Sequence, residues 1–365
     1  MNKLSNYCIV DSGNGFPLKY QGKTTGKYPF YKVSDMNSDG NSIYMGISNN
    51  FVDDEEVKTL KWKIFPEGTL IFPKIGMAIK TNKKRLLSQD SLVDNNVMTL
   101  VPKNNVDSKF LYYYFISIDL FSFANATTTP AIRKTDIENH EVNFPPLPVQ
   151  KQIVSILEKA ENLKQKREET NKETQKIIQS LFYEMFGDPV KNEKGWDVKK
   201  WDEVLTIING RSQKKVENPN GKYPIYGSGG IMSYADEYLS PENSVIIGRK
   251  GSINKPIKVK TKYWNVDTAF GIVPDTKKLT CDYLFSFCQI FNFERLNTST
   301  TLPSLTKVNL LQIEMPIPPL PLQEEFARKV QLIESIQSKQ QSSTQEINTL
   351  FDALIQKAFK GELVE

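Results

Sequence analysis

The chain has 365 residues, 39% of them apolar and 24% charged, a formal net charge of +5 and a single histidine, His140. That length favours two domains over one core. One histidine excludes a multi-histidine metal site, and no run approaches the roughly 18 apolar residues of a membrane helix.

The opening "MNKLSNYCIV" lacks the apolar core and small-residue cleavage site of a secretory signal. Cys8, Cys281 and Cys288 form no CxxC pair and no even framework, so a reducing cytoplasm is expected. No Walker A loop, GxGxxG or HExxH is present, and His140 reads as structural. Acid-x-Lys triplets occur (Glu56–Lys58, Asp107–Lys109, Asp197–Lys199), as chance allows in a lysine-rich chain. The chain does not read as an enzyme on its own.

Residues 1–143 are rich in β-branched and aromatic residues broken by Gly, Pro and Asn, as in "TLIFPKIGMAI", and predict strands with short helices. "SKFLYYYFISIDLF" predicts a short helix whose aromatics belong to the core. Residues 144–187 begin "FPPLPVQKQI" and then run from Pro148 to Phe186 without Gly or Pro, which predicts a long helix. Its three-and-four spacing selects Ile153, Ile156, Ala160, Leu163, Arg167, Thr170, Thr174, Ile177 and Leu181 as a seam with a polar middle.

Residues 188–316 repeat the strand-rich composition, with "NSVIIGRKGSI" and a short helix at "CDYLFSFCQIFNF". Residues 317–365 predict a second long helix, with a seam of Phe326, Lys329, Ile333, Ile336, Gln340, Ser343, Ile347, Leu350 and Leu354. Each helix would span roughly 55–60 Å. That is too long for one small domain, so the two should pair with each other.

The repetition is the organising feature. Sliding the chain by 173 places "TTTPAIRKTDI" (127–137) on "TTLPSLTKVNL" (300–310), and Val93-Asp94 on Val266-Asp267. "GKYPFY" (26–31) matches "GKYPIY" (221–226), and "KIGMAI" (74–79) echoes "RKGSIN" (249–254), with extra residues around 40–60 in the first copy. The expected fold is α+β: two pseudo-symmetric, mostly stranded domains joined by two long helices in an antiparallel coiled coil. The end of the second helix should return to the first domain, bringing the termini together and giving two similar heads on one rod.

Two similar heads on a spacer suit duplex DNA, whose half-sites repeat about every 34 Å. The positive excess lies in the heads: 17 basic against 15 acidic residues in 1–143, and 18 against 14 in 188–316. The segment 144–187 is near neutral (7 against 6), and 317–365 is acidic (5 against 7). Candidate DNA contacts come from "KTNKKR" (Lys80, Lys83, Lys84, Arg85), "GRSQKK" (Arg211, Lys214, Lys215) and "GRKG" (Arg249, Lys250). The repeat landmarks add Lys74, Arg133, Lys134, Tyr226, Thr300, Thr301 and Lys307. Arginines can grip guanine edges bidentately, and lysines suit phosphates.

With "PPLPVQKQIVSILEKAENL", "FGDPVKNEKGWDVKKWDEV", "PPLPLQEEFARKVQLIE" and "LIQKAFKGEL" in place, nearly the whole chain resembles the specificity subunit of type I restriction–modification systems. The resemblance implies a non-catalytic chain that binds no cofactor. Each domain would read half of a bipartite double-stranded DNA target, and the helices would set the gap and dock two modification subunits. Those subunits would carry S-adenosylmethionine and adenine-N6 methylation, and motor-nuclease subunits would join for restriction. The first copy departs from the pattern by starting at "LSNYCIV" without the tryptophan segment "GWDVKKWDEVL". A specificity subunit for a fused nuclease–methyltransferase, or a two-headed coiled-coil adaptor that binds proteins, are the alternatives.

Overall fold

Two long helices, Leu147–Phe186 and Leu320–Lys360, each give part of their length to each of two units in the computed structural model. The units are 1–166 with 344–365, and 167–343. The structure describes residues 2–125, 128–297 and 303–364. Pro148 and Pro321 sit in the first turns of the long helices, where a missing N–H costs nothing.

The first unit is built on a five-stranded sheet in the order Cys8–Ser12, Val97–Pro102, Leu70–Pro73, Arg85–Leu87, Tyr44–Met45. Beside it, Phe51–Val52, Tyr28–Tyr31 and Leu92–Val93 form a small sheet. Helix Ser108–Ile116 starts where the Asp107 carboxylate accepts from the Lys109 and Phe110 amides at 2.9 and 3.0 Å. It buries Phe110, Leu111, Tyr112, Tyr113 and Phe115, so this aromatic run is core and not a platform for stacking bases. Ile153, Val154, Leu157 and Ala160 of the first long helix join the same core, with Phe351, Ile355 and Ala358 of the second. Each such side chain removed from water contributes about 1.5–3 kcal/mol when large.

The second unit repeats the plan. Its main sheet runs Leu205–Asn209, Ala269–Pro274, Ser244–Gly248, Ile257–Val259, and its small sheet Gly230–Ala235, Tyr223–Gly227, Trp264–Asn265. In both small sheets the central strand pairs parallel with the last one. Helix Cys281–Ile290 buries Tyr283, Leu284 and Phe287 against Phe182, Phe186, Phe326 and Val330.

Within each unit the helix segments run antiparallel. In the second, Phe182 packs on Phe326 at 5.8 Å while Gln340 Nε2 donates to Thr174 Oγ1 at 3.0 Å. In the first, Lys164 lies over the Phe351 ring at 5.8 Å, while Ile153 and Ala358 line one cavity. The end of the second helix therefore returns to the first domain, where Phe359 packs edge-on against Phe110 at 5.4 Å.

Two expectations need correction. The offset of 173 holds for Pro130 on Pro303 but not for Val93-Asp94, where it is 172. Asp94 N donates to Tyr31 O and Val266 N to Tyr226 O, each at 2.9 Å, so Asp94 matches Val266. The preceding turn needs glycine in both copies, since a Cβ on Gly13 or Gly210 would come within 2.0 Å of Val93 O or 1.8 Å of Val266 O. The first unit's edge is shortened but closed. Leu4 N donates to His140 O at 2.8 Å as Trp201 N does to Ile313 O at 3.0 Å, and both side chains are fully buried. The strand pair at this edge is Asn2–Lys3 with Glu141–Val142, against Asp197–Lys200 with Glu314–Ile317 in the second unit.

The second correction is the seam. Leu163, Ile177, Ile336 and Leu350 are 54%, 47%, 43% and 51% exposed, and Thr170 and Lys329 also face solvent. Ile153, Ala160 and Phe326 are buried, and Ile156, Leu181, Ile333, Ile347 and Leu354 half-buried. From Ala160 onward the inward face keeps the predicted Arg167 and Thr174 but takes Lys164, Asn171 and Ile178 in place of Leu163, Thr170 and Ile177, each one residue later. A wider apolar face at the helix start, Ile153, Val154 and Leu157, packs on the head and sets this rotation.

Candidate nucleic-acid interface

In the second unit the loops that follow the strands converge at one end of the two sheets. The chain leaves Leu205–Asn209 through Gly210 to Arg211, whose amide donates to Asn265 O and whose carbonyl accepts from Trp264 Nε1, both at 3.0 Å. The central strand Ser244–Gly248 ends at Arg249, whose amide donates to Thr268 O at 2.8 Å. A second loop is bonded alongside: Gly251 N donates to Pro303 O at 3.0 Å and Leu305 N to Arg249 O at 2.9 Å. Arg249 is exposed, its guanidinium touching Asp267 O at 3.4 Å and lying 6.0 Å from the Phe270 ring centre. Arg211, Lys214, Lys215 and Lys250 are exposed nearby in sequence, so basic groups dominate these loops.

The first unit makes the same two-loop arrangement. Gly76 N donates to Pro130 O and Ile132 N to Lys74 O, both at 2.8 Å. Lys74 thus occupies the place of Arg249. Its ammonium is half-buried and donates to Ser12 Oγ at 2.8 Å; burial pulls its pKa below the ordinary lysine value, against the charges of Asp11 and Asp94. Burial pushes the Asp11 carboxyl up, but the Lys63 ammonium, 2.7 Å away, and the Ser12 amide outweigh that and hold it low. Arg133 and Lys134 are exposed beside this end, Lys134 lying 3.6 Å from Glu138. The first end is therefore closer to charge balance than the second.

The model of the "Type I restriction modification DNA specificity domain" matches residues 3–175 and again 193–349. The chain belongs to this family. A specificity subunit is the DNA-recognition, non-catalytic part of a type I restriction–modification enzyme, and this chain is one. It is 24% identical over its whole length to the MjaIX specificity subunit of Methanocaldococcus jannaschii, covering 93% of that protein. It is 22% identical to a specificity subunit of Mycoplasma pneumoniae described as putative, over 89% of this chain and 86% of the relative. The type I S subunit structure from M. genitalium shares the fold with a TM-score of 0.62 at 16% identity, covering 98% of this chain and 95% of that one.

Not every basic residue expected at the interface of this specificity subunit faces outward. Lys84 is 1% exposed and donates to Asn82 Oδ1 and Ile118 O, both at 2.7 Å; burial lowers its pKa to about 8. The Arg85 guanidinium serves the carbonyls of Asn41, Lys84 and Met36, stapling the inserted segment of the first copy. These two are structural, because buried carbonyls claim their donors. Lys307 donates to Ile207 O at 2.7 Å and is half-buried. Tyr226 is half-buried against Tyr263, and burial raises its pKa. Lys80 is exposed with its ammonium 4.9 Å from the Phe121 ring centre, and Lys83 bonds Asn37. Thr300 and Thr301 lie outside the described residues.

Sequence reasoning passed over three buried polar residues. Asn265 accepts from Ser240 Oγ at 2.7 Å and donates to Ala269 O at 3.2 Å, holding the base of the second loop cluster. Gln150 and Gln323 are 1% and 0% exposed. Their signal was in plain view: the repeated phrase ends "PPLPVQ" and "PPLPLQ".

Proposed function

We propose that residues 1–143 and 188–316 each read one half of a bipartite duplex DNA target, through the loop end at Lys74 and the loop end at Arg249. The segments 144–187 and 317–365 set the unspecified gap and dock two modification subunits. Those partners supply S-adenosylmethionine and transfer its methyl group to adenine N6; motor-nuclease subunits complete the restriction complex, in the cytoplasm. The observation that carries this reading is the matched two-loop arrangement, in which Lys74 O and Arg249 O accept equivalent amides at 2.8 and 2.9 Å in two copies whose loop sequences differ. Equivalent scaffolds with different side chains suit an asymmetric target. The small net charge of +5 fits a chain that shares its phosphate contacts with partners.

Methylome mapping after co-expression with the neighbouring modification gene tests this. A split motif of two short half-sites with a fixed gap is expected. Absence of methylation from a stably assembled, cofactor-loaded complex would refute it.

A further inference from the structure

We propose that Gln150 and Gln323 are positioning residues that fix the direction in which each recognition domain meets its helix, and thereby hold the gap to one length. This rests on the bipartite reading above. Gln323 Oε1 accepts from Thr280 N at 2.9 Å, and its Nε2 donates to Lys278 O at 3.0 Å and Pro318 O at 2.8 Å. Gln150 repeats all three bonds: Asp107 N at 2.9 Å, Asn105 O at 3.0 Å and Pro145 O at 2.8 Å. One side chain thus ties three pieces in each unit: the long helix, the proline loop before it, and the loop that opens the helix Ser108–Ile116 or Cys281–Ile290.

An amide can satisfy this site in only one orientation, since two carbonyls need the nitrogen and one N–H needs the oxygen. Apolar contacts around it are non-directional and tolerate rotation. The neighbours differ between copies: Val149 against Leu322, Lys151 against Glu324, Asp107 against Thr280. The bonds do not, because every partner is a backbone group. The glutamine is therefore the part of the joint with a defined geometry, and a small change of angle there is amplified at the loop end.

The test uses the assembled modification complex containing the full chain, with duplexes whose half-sites are separated by the wild-type gap, one base pair less, or one more. Gln323→Met and Gln150→Met keep volume and remove the directional bonds; Gln323→Glu keeps the acceptor and removes the donors. The expected result is unchanged half-site bases with a preference for the correct gap reduced about tenfold on losing two bonds (Glu) or three (Met). Variants that assemble and methylate more slowly at every gap, with the wild-type preference intact, overturn the proposal. So does failure of both Gln323 variants to assemble where the wild type does, which would make the residue a folding requirement only. If the wild-type complex itself shows no gap preference, the bipartite reading falls and this proposal with it.

Discussion

Four cations occupy "KTNKKR", yet they divide sharply in what they do. Lys84 turns inward to Ile118 O and Asn82, while Lys80 stays in solvent. Burial, opposed by the Asp119 charge, lowers the folded-state pKa of Lys84 from 10.5 to about 8. Between those values the unfolded chain holds a proton that the folded one has released, so folding stability rises with pH across that window. Lys84→Met abolishes this gain and leaves Ile118 O without its side-chain donor, while Asn82 Oδ1 keeps the Leu120 amide, a loss of about 1–3 kcal/mol. Urea midpoints taken near pH 7.5 and near pH 10 should shift upward for the wild type relative to the variant; parallel shifts would refute the assignment. Composition could not separate Lys84 from Lys80, because direction depends on which carbonyls the fold leaves unpaired. Leu4 was hidden for a similar reason: it fills the place of Trp201 with a residue of different size and type.

At the scale of elements, the absence of Gly and Pro and the apolar spacing made both long helices legible almost to their ends. Their rotation was not legible. Leu163 and Ile177 offer an apolar alternative to the inward face actually used, where Arg167, Asn171 and Thr174 sit. Local pattern cannot choose between rows one residue apart when the middle of a helix is polar. The choice is made at the ends, by the wide face at Ile153, Val154 and Leu157 and by Phe182 and Phe186. Thr170 is exposed, so added residues there need not enter a core. Inserting four residues after Thr170 adds about one helical turn, 5–6 Å, and should lengthen the recognised gap by roughly one to two base pairs. Methylome mapping of the insertion variant reads this directly, and an unchanged gap would mean that the helices are not the ruler.

At the scale of the whole chain, the duplication was the most legible property, and its limit was one residue of register. The last strands, Leu92–Val93 and Val97–Pro102 against Trp264–Asn265 and Ala269–Pro274, keep an offset of 172, and the extra residue enters between Pro274 and Thr280, ahead of the buried glutamine joint. That placement bears on whether the recognition parts can be exchanged. Gln323 grips only backbone groups of residues 278, 280 and 318, so it can accept a second domain of different sequence. The side-chain link is less transferable: Lys258 pairs with Asp282 at 2.7 Å and with Glu334 of the long helix, which also takes Lys260 at 2.7 Å. An incoming domain without these lysines leaves Glu334 half-buried and unpaired, so the chimera should melt earlier unless Glu334→Gln accompanies it. Replacing residues 188–316 with the corresponding domain of another specificity subunit, with that compensation, should change one half-site of the methylated motif and leave the other intact. Altered methylation at both halves in a folded, assembled chimera would mean that the two domains do not read DNA independently.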